Sequence, residues 1–136
     1  MSLEEKLKQQ IKENPVLIYM KGTPYEPRCG FSSKTVQALI DCGAQFSFVD
    51  ILENQEVRAT LPSVTDWPTF PQVFISGELI GGCDIVTQMH ESGELQKLVD
   101  AAEKDGAELE VAEVKDETGG VSYEVRKMNT KIEQIG

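Results

Sequence analysis

The sequence predicts an α/β fold in which helices flank a central four-stranded mixed sheet. Short apolar runs alternate with stretches whose apolar residues recur every three or four positions, as strands alternating with helices do. Two late strands are separated only by Ser76 and Gly77, which predicts a hairpin. The resulting order is α-β-α-β-α-β-β-α, three layers around one sheet, and 136 residues fit one domain of ordinary size.

The first elements place a cysteine between a strand and a helix. Three apolar residues spaced four apart share one face of a first helix: Leu3, Leu7 and Ile11. This helix ends before Pro15, and the five apolar residues 16–20 predict a strand that is buried on both faces. After a turn-rich loop, residues 33–42 show helical spacing up to Gly43. Cys29 is therefore predicted to lie beyond the carboxyl end of a strand, just before a helix.

The second half of the domain completes the sheet. The predicted elements are a strand over 46–51, a helix over 55–61, and hairpin strands over 72–75 and 78–80. Asp84 is predicted to be the N-cap of a final helix. That helix carries an apolar stripe that includes Leu95, Leu98 and Val99.

The character of the chain changes near residue 100. Residues 100–136 contain ten acidic and five basic side chains, so about half of the formal net charge of −10 lies on a quarter of the chain. Apolar and polar residues alternate on both sides of Gly119 and Gly120. We predict a domain over 1–103 and an acidic C-terminal extension over 104–136 that forms a small hairpin or is disordered.

Composition excludes several classes of function. A net charge of −10 argues against nucleic acid and anionic lipid as partners. No apolar run approaches the roughly 20 residues that a membrane-spanning helix needs. The first ten residues lack the apolar block of an export signal, so the predicted location is cytoplasmic. An odd number of cysteines, three, favours thiol chemistry or metal ligation over a disulfide framework.

The sequence Cys29-Gly30-Phe31-Ser32 is the candidate catalytic motif. A thiol at the N-terminus of a helix is favoured as the thiolate, and Lys21 at the end of the preceding strand adds positive charge. Ser32 occupies the position of the second cysteine of a Cys-X-X-Cys pair, so Cys29 has no internal partner there. Glutathione, another chain and iron are the alternatives for a partner of this thiol.

Three blocks of sequence together resemble the monothiol glutaredoxins with a Cys-Gly-Phe-Ser active site. The blocks are Lys21-Gly22-Thr23-Pro24 with Pro27-Arg28-Cys29-Gly30-Phe31-Ser32, then Trp67-Pro68-Thr69-Phe70-Pro71-Gln72, and Gly81-Gly82-Cys83-Asp84. The resemblance spans about residues 3–99. It implies a thioredoxin-like fold that binds glutathione and holds a 2Fe-2S cluster between two protomers, with Cys29 as the ligand from each protomer.

The resemblance also implies a glutathione pocket. Glutathione carries two carboxylates and one ammonium group, so its pocket needs cations, an anion and backbone donors. By resemblance, Lys21 and Arg58 face the glycyl carboxylate. Asp84, with the N–H groups of Cys83 and Asp84, meets the γ-glutamyl end.

The segment around Pro71 forms another part of the implied site. Thioredoxin-like folds typically carry a cis proline before the third strand, and the sequence leaves the isomer of Pro71 open. If Pro71 is cis, Phe70 presents its backbone N–H and C=O to the cysteinyl part of glutathione. Because Cys83 is close to the implied pocket, a Cys29–Cys83 disulfide under oxidation also remains an alternative.

Three functional hypotheses follow. The first is a carrier in iron-sulfur cluster assembly and transfer, a cluster-bridged homodimer that by resemblance also pairs with BolA-type proteins and with acceptor proteins. The second is a glutathione-dependent oxidoreductase that reduces protein-glutathione mixed disulfides through Cys29, an activity that a carrier can retain weakly. The third is an interaction module whose acidic extension recruits a basic partner.

Overall fold

The computed structural model describes residues 2–105 and, beyond them, residues 114–115, 122–123 and 132–134. Within these residues the helices are α1 (Leu3–Glu13), α2 (Gly30–Asp41), α3 (Gln55–Thr65), α4 (Cys83–Ser92) and α5 (Glu94–Asp105). The strands are β1 (Val16–Met20), β2 (Phe46–Asp50), β3 (Gln72–Ile75), β4 (Glu78–Gly81), β5 (Val114–Lys115), β6 (Ser122–Tyr123) and β7 (Ile132–Gln134).

The predicted mixed sheet is confirmed, and β1 is its central strand, between β3 and β2. β1 is parallel to β2 and antiparallel to β3, and β3 pairs with β4 through the predicted hairpin. The C-terminal extension contributes a further strand, β7, which pairs in parallel with β2 and gives the order β4-β3-β1-β2-β7. Because β1 and β2 are parallel, the loops that follow them leave the same edge of the sheet.

The core occupies both faces of β1, as the apolar run predicts. All five residues of β1 are buried. Ile18 packs in a cluster with residues of α2, α4 and α5, whereas Leu17 and Tyr19 pack in a second cluster with residues of α1 and α3. Alternate side chains of a strand point to opposite faces, so this one strand joins the two helical layers. Burial of each such side chain stabilises the fold by about 1.5–3 kcal/mol.

Two predictions about the last helix are wrong. The stretch predicted as one helix forms two, because α4 ends at Gly93, which has the left-handed φ of 85° that terminates helices. Asp84 is not the N-cap. The N-cap is Gly82, and Asp84 lies in the first turn of α4, because the chain turns at Gly81 and Gly82 and the helix begins sooner than predicted.

Two other helices are longer than predicted. α2 begins at Gly30 rather than at residue 33, so the helix starts immediately after Cys29. α3 continues past Pro62 to Thr65. Pro62 has no N–H to donate to the carbonyl of Arg58, yet the helix accommodates this loss. The earlier start of α2 thereby makes Cys29 the N-cap of this helix.

Beyond α5, two short strands of the C-terminal extension pair with each other. β5 and β6 pair in antiparallel fashion, with Val114 opposite Tyr123. The division into a domain and an extension at residue 103 stays a prediction, and α5 itself runs to Asp105. Among the residues that the structure describes, none of the helices combines the length and apolar character that a membrane crossing requires.

Candidate functional site

Cys29 is the N-cap of α2 and is half-buried. The backbone N–H of Ser32 is the largest influence that lowers the pKa of the Cys29 thiol. Burial is the second-largest influence and opposes it, whereas the N–H of Phe31, the charge of Lys21 and the Ser32 hydroxyl also lower this pKa. These N–H groups belong to the first turn of a helix, where they have no intrahelical acceptor. The predicted thiolate character of Cys29 is thus supported by named donors.

Ser32 has a structural role that its position in the motif alone does not suggest. The residue is fully buried, and its Oγ accepts a hydrogen bond from the Lys21 backbone N–H at 3.1 Å. Its hydroxyl also acts on the Cys29 thiol, whose pKa it lowers. Ser32 therefore links the end of β1 to the thiol. The spacing of three residues from the N-cap is the sequence signal for such a contact, because the side chain at that position faces back toward the cap.

A cavity of about 640 Å³ collects the predicted binding residues. Six of its lining residues are those predicted from the sequence: Lys21, Arg58, Phe70, Pro71, Cys83 and Asp84. Cys29 does not itself line the cavity. Phe31, two residues further along, does, and Lys21 belongs both to the cavity wall and to the surroundings of the thiol. The predicted site residues are therefore assembled in one region from five separate parts of the chain.

The charges of this cavity have both signs. Lys21 and Arg58 supply positive charge, and Asp84 supplies negative charge in the first turn of α4. Arg58 is exposed, whereas Lys21 is half-buried. A ligand with anionic groups and an ammonium group would match such a wall. A thiol beside it would bring nucleophilic or metal-ligating sulfur to the bound ligand.

The segment before β3 forms another part of the cavity wall. The Phe70–Pro71 peptide bond is cis, as the resemblance implies. Gln72, which follows it, is fully buried and donates through Nε2 to the carbonyls of Trp67 at 2.9 Å and Thr69 at 3.2 Å. The motifs of the sequence gave no sign of a role for this amide. Its bonds hold the Trp67–Pro71 stretch in a closed turn beside the cavity.

Gly81 and Gly82 are needed for contacts within the protein. A Cβ at Gly81 would lie 2.8 Å from Cδ1 of Ile85, and φ at Gly81 is +147°. A Cβ at Gly82 would lie 3.2 Å from the carbonyl oxygen of Pro71. The glycine pair therefore lets the start of α4 approach the cis-proline segment.

The remaining thiols have different surroundings. All three cysteines are free in the structure, so the Cys29–Cys83 disulfide stays a prediction. Cys83 Sγ lies 3.9 Å from Thr87 Oγ1 within α4. Cys42 is buried at the far end of α2, 3.5 Å from His90 Nδ1, and burial raises the pKa of its thiol. Within the described part of the chain, no group of three or more potential metal ligands comes together.

Known proteins resemble this chain in sequence and in structure. The family model described as Glutaredoxin matches residues 16–80. Glutaredoxin 4 of Escherichia coli (strain K12) is 58% identical over 95 residues, which cover 70% of this chain and 83% of that protein.

Two solved structures extend the comparison. The solution structure of reduced poplar apo GrxS14 is 44% identical, with a TM-score of 0.64 over 74% of this chain and 93% of that one. A buckwheat glutaredoxin, solved as a complex with glutathione, is 27% identical, with a TM-score of 0.64 over 73% of this chain and 88% of that one.

Proposed function

The chain belongs to the glutaredoxin family as a monothiol member, and from this membership we propose that it binds glutathione and carries a 2Fe-2S cluster between two protomers. The observation that carries the proposal is the half-buried Cys29 at the N-terminus of α2, with a lowered pKa, next to a cavity with charges of both signs. A thiolate is the form of cysteine that ligates iron and attacks disulfides.

Glutathione suits the cavity in its charges. Lys21 and Arg58 offer partners for a carboxylate, and Asp84 offers a partner for the ammonium of the γ-glutamyl unit. The N–H groups at the start of α4 are available to the γ-glutamyl carboxylate. Phe70, before the cis proline, lines the same cavity and supplies backbone groups for the cysteinyl unit. The buckwheat relative, solved with glutathione, supports this choice of ligand.

The number of thiols supports a cluster shared between two chains. A 2Fe-2S cluster usually takes four cysteine ligands. Cys29 is the thiol with a lowered pKa among the residues described, and these residues contain no group of three potential ligands that a single chain could use. Two protomers and two bound glutathione molecules together supply four thiolates. The cluster is therefore treated as cargo, held at a homodimer contact around Cys29.

Such an arrangement suits transfer. Half of the ligands come from an exchangeable tripeptide, so the cluster can leave when an acceptor presents its own thiolates. We include in the proposal that iron-sulfur acceptor proteins receive the cluster, that a BolA-type protein can replace one protomer, and that the protein acts in the cytoplasm. These roles are proposed from family membership and from the single thiol of the Cys29-Gly30-Phe31-Ser32 motif.

Anaerobic reconstitution tests the proposal. The protein is incubated with iron, sulfide and reduced glutathione, and its visible absorption and molar mass are measured together. We expect a visible chromophore that forms only with glutathione present, accompanied by a change from monomer to dimer. The variant Cys29→Ser should lose both. The variant Cys42→Ala is the matched control, because it removes a buried thiol at the opposite end of α2 and should keep both.

Two results would contradict the carrier function. Colour and dimerisation that persist in Cys29→Ser would exclude Cys29 as the ligand. Efficient reduction of protein-glutathione mixed disulfides, with no chromophore under any of these conditions, would instead assign the protein as a glutathione-dependent oxidoreductase. The lowered pKa of Cys29 is compatible with that second activity, since its thiolate can attack the mixed disulfide.

A further inference from the structure

The loop between β1 and α2 is closed by its own backbone. The N–H of Arg28 donates to the carbonyl of Lys21 at 2.9 Å, which joins the two ends of the loop. Inside it, Thr23 and Glu26 exchange backbone hydrogen bonds at 3.2 and 3.1 Å. The loop is therefore one hydrogen-bonded unit, and Lys21 stands at its first position. What fixes this unit to the sheet determines where the Lys21 side chain lies.

Gly22 is the point at which the loop meets the sheet. It is buried, its φ is +92°, and a Cβ there would lie 2.5 Å from the carbonyl oxygen of Glu26 and 2.7 Å from the nitrogen of Arg28. No side chain fits between these backbone atoms. The N–H of Gly22 is consequently a donor enclosed by protein, and such a donor needs an acceptor from the protein.

Asp50 supplies that acceptor from the neighbouring strand. It is the last residue of β2 and is only 9% exposed. Its Oδ1 accepts from the N–H of Gly22 and from the N–H of Leu52, both at 2.9 Å. The β2 backbone next to it is paired with β1, since Ile51 N–H donates to the carbonyl of Met20 at 2.9 Å. One carboxylate oxygen thus ties the loop to the end of β2, where β2 is paired with β1.

Lys21 is fixed on both sides by these contacts. Its own N–H donates to Ser32 Oγ at 3.1 Å, and the next N–H along the chain, that of Gly22, donates to Asp50. The Lys21 side chain extends from this doubly held backbone to the cavity wall. Asp50 does not line the cavity, so any effect on the ligand passes through the loop.

We propose that Asp50 is a positioning residue, whose buried carboxylate holds Gly22 and thereby places Lys21 against the anionic end of the ligand. The ligand named here, glutathione, rests on the function proposed above. Asp50 carries a formal negative charge on the cation side of the site, so it contributes to binding through its hydrogen bond rather than by attracting an anion.

Two substitutions separate the hydrogen bond from the charge. Asp50→Asn and Asp50→Ala both remove the charge, but only asparagine keeps an Oδ1 acceptor for Gly22. In an NMR titration of the cluster-free protein with reduced glutathione, we expect the dissociation constant to rise roughly fivefold in Asp50→Ala, the factor that one hydrogen bond is worth. Asp50→Asn should bind within about twofold of the wild type.

The control variant is Gly77→Ala. Gly77 has a φ of +82° at the turn between β3 and β4, at the edge of the sheet away from the loop. Alanine there lowers stability by strain at that turn. Glutathione affinity should be unchanged in Gly77→Ala. An equal loss of affinity in the control and in Asp50→Ala would mean that general destabilisation causes the effect, and would overturn the proposal.

Amide hydrogen exchange gives a test that needs no folded alanine variant. The N–H of Gly22 should exchange in the wild type as slowly as its strand neighbours, and at least tenfold faster in Asp50→Ala or, where that variant does not fold, in Asp50→Ser. A Gly22 N–H that exchanges freely in the wild type would overturn the positioning role. Absence of glutathione binding in the wild type, with Gly22 protected, would refute the proposed ligand and leave the role of Asp50 in the loop supported.

Discussion

Replacement of Ser32 by alanine tests how the thiol of Cys29 is activated. The Ser32 hydroxyl is fully buried and is one of the groups that lower the pKa of Cys29, and it also accepts the Lys21 N–H at 3.1 Å. A hydrogen bond to a neutral or charged partner contributes about 0.5–1.5 kcal/mol or somewhat more. Ser32→Ala removes one such bond to the thiolate, so we expect the pKa of Cys29 to rise in this variant.

The effect is measured as the pH dependence of alkylation at Cys29. Each protein is treated with iodoacetamide at a series of pH values, and peptide mass spectrometry separates Cys29 from Cys42 and Cys83. At pH 7 the rate at Cys29 should fall roughly three- to tenfold, in step with the thiolate fraction. The control is Ser33→Ala, at the next residue, which is exposed. Its Cys29 should be alkylated at the same rate as Cys29 of the wild type. An unchanged midpoint in folded Ser32→Ala would refute the role assigned to this hydroxyl.

Three further predictions concern other parts of the molecule. Arg58→Gln should weaken glutathione binding, measured by calorimetry, roughly threefold at low salt. The loss should be smaller at high salt, because Arg58 is exposed and salt screens its charge. The control Lys97→Gln, on α5, should leave the affinity unchanged. Burial first, and then the charges of Asp41 and Asp100, raise the pKa of the Cys42 thiol. Above about pH 8.5, where the thiol of the unfolded chain ionises, the free energy of unfolding measured in urea should therefore fall more in the wild type than in Cys42→Ala. Equal decreases in the two proteins would contradict this prediction. Removal of residues 106–136 leaves α5 whole and should not change chromophore yield, whereas loss of colour would give the extension a part in assembly.

The sequence predicted the parts of the site that short motifs encode. Cys29 at a helix N-terminus follows from the strand, loop and helix pattern around it, and the structure confirms that position. Lys21, Arg58 and Asp84 all line the cavity, although the sequence alone could not bring them together, since they belong to separate elements. The resemblance to a known family supplied that assembly, whereas the cis isomer of Pro71 was left open until the structure was known.

The parts that the sequence did not predict depend on contacts between distant residues. Asp50 reads as an ordinary strand end, and only the parallel pairing of β1 with β2 brings it to Gly22, 28 residues earlier. The bond from Gln72 to the carbonyl of Trp67 is local, but it depends on the closed turn between them, which the sequence did not predict. The N-cap prediction at Asp84 failed because preference for aspartate at a cap is weaker than the geometry of the Gly81-Gly82 turn.

The pairing of β7 with β2 has a consequence for how copies of the protein meet. An edge strand with unpaired backbone groups is a template for strands of other molecules, and β2 would be such an edge without the extension. β7 pairs with Phe46, Ser47 and Phe48, which occupies most of that template from within the same chain. Edge-to-edge stacking of sheets is thereby disfavoured on this side. A shortened chain that ends at residue 105 should therefore lose colloidal stability at high concentration before it loses its fold.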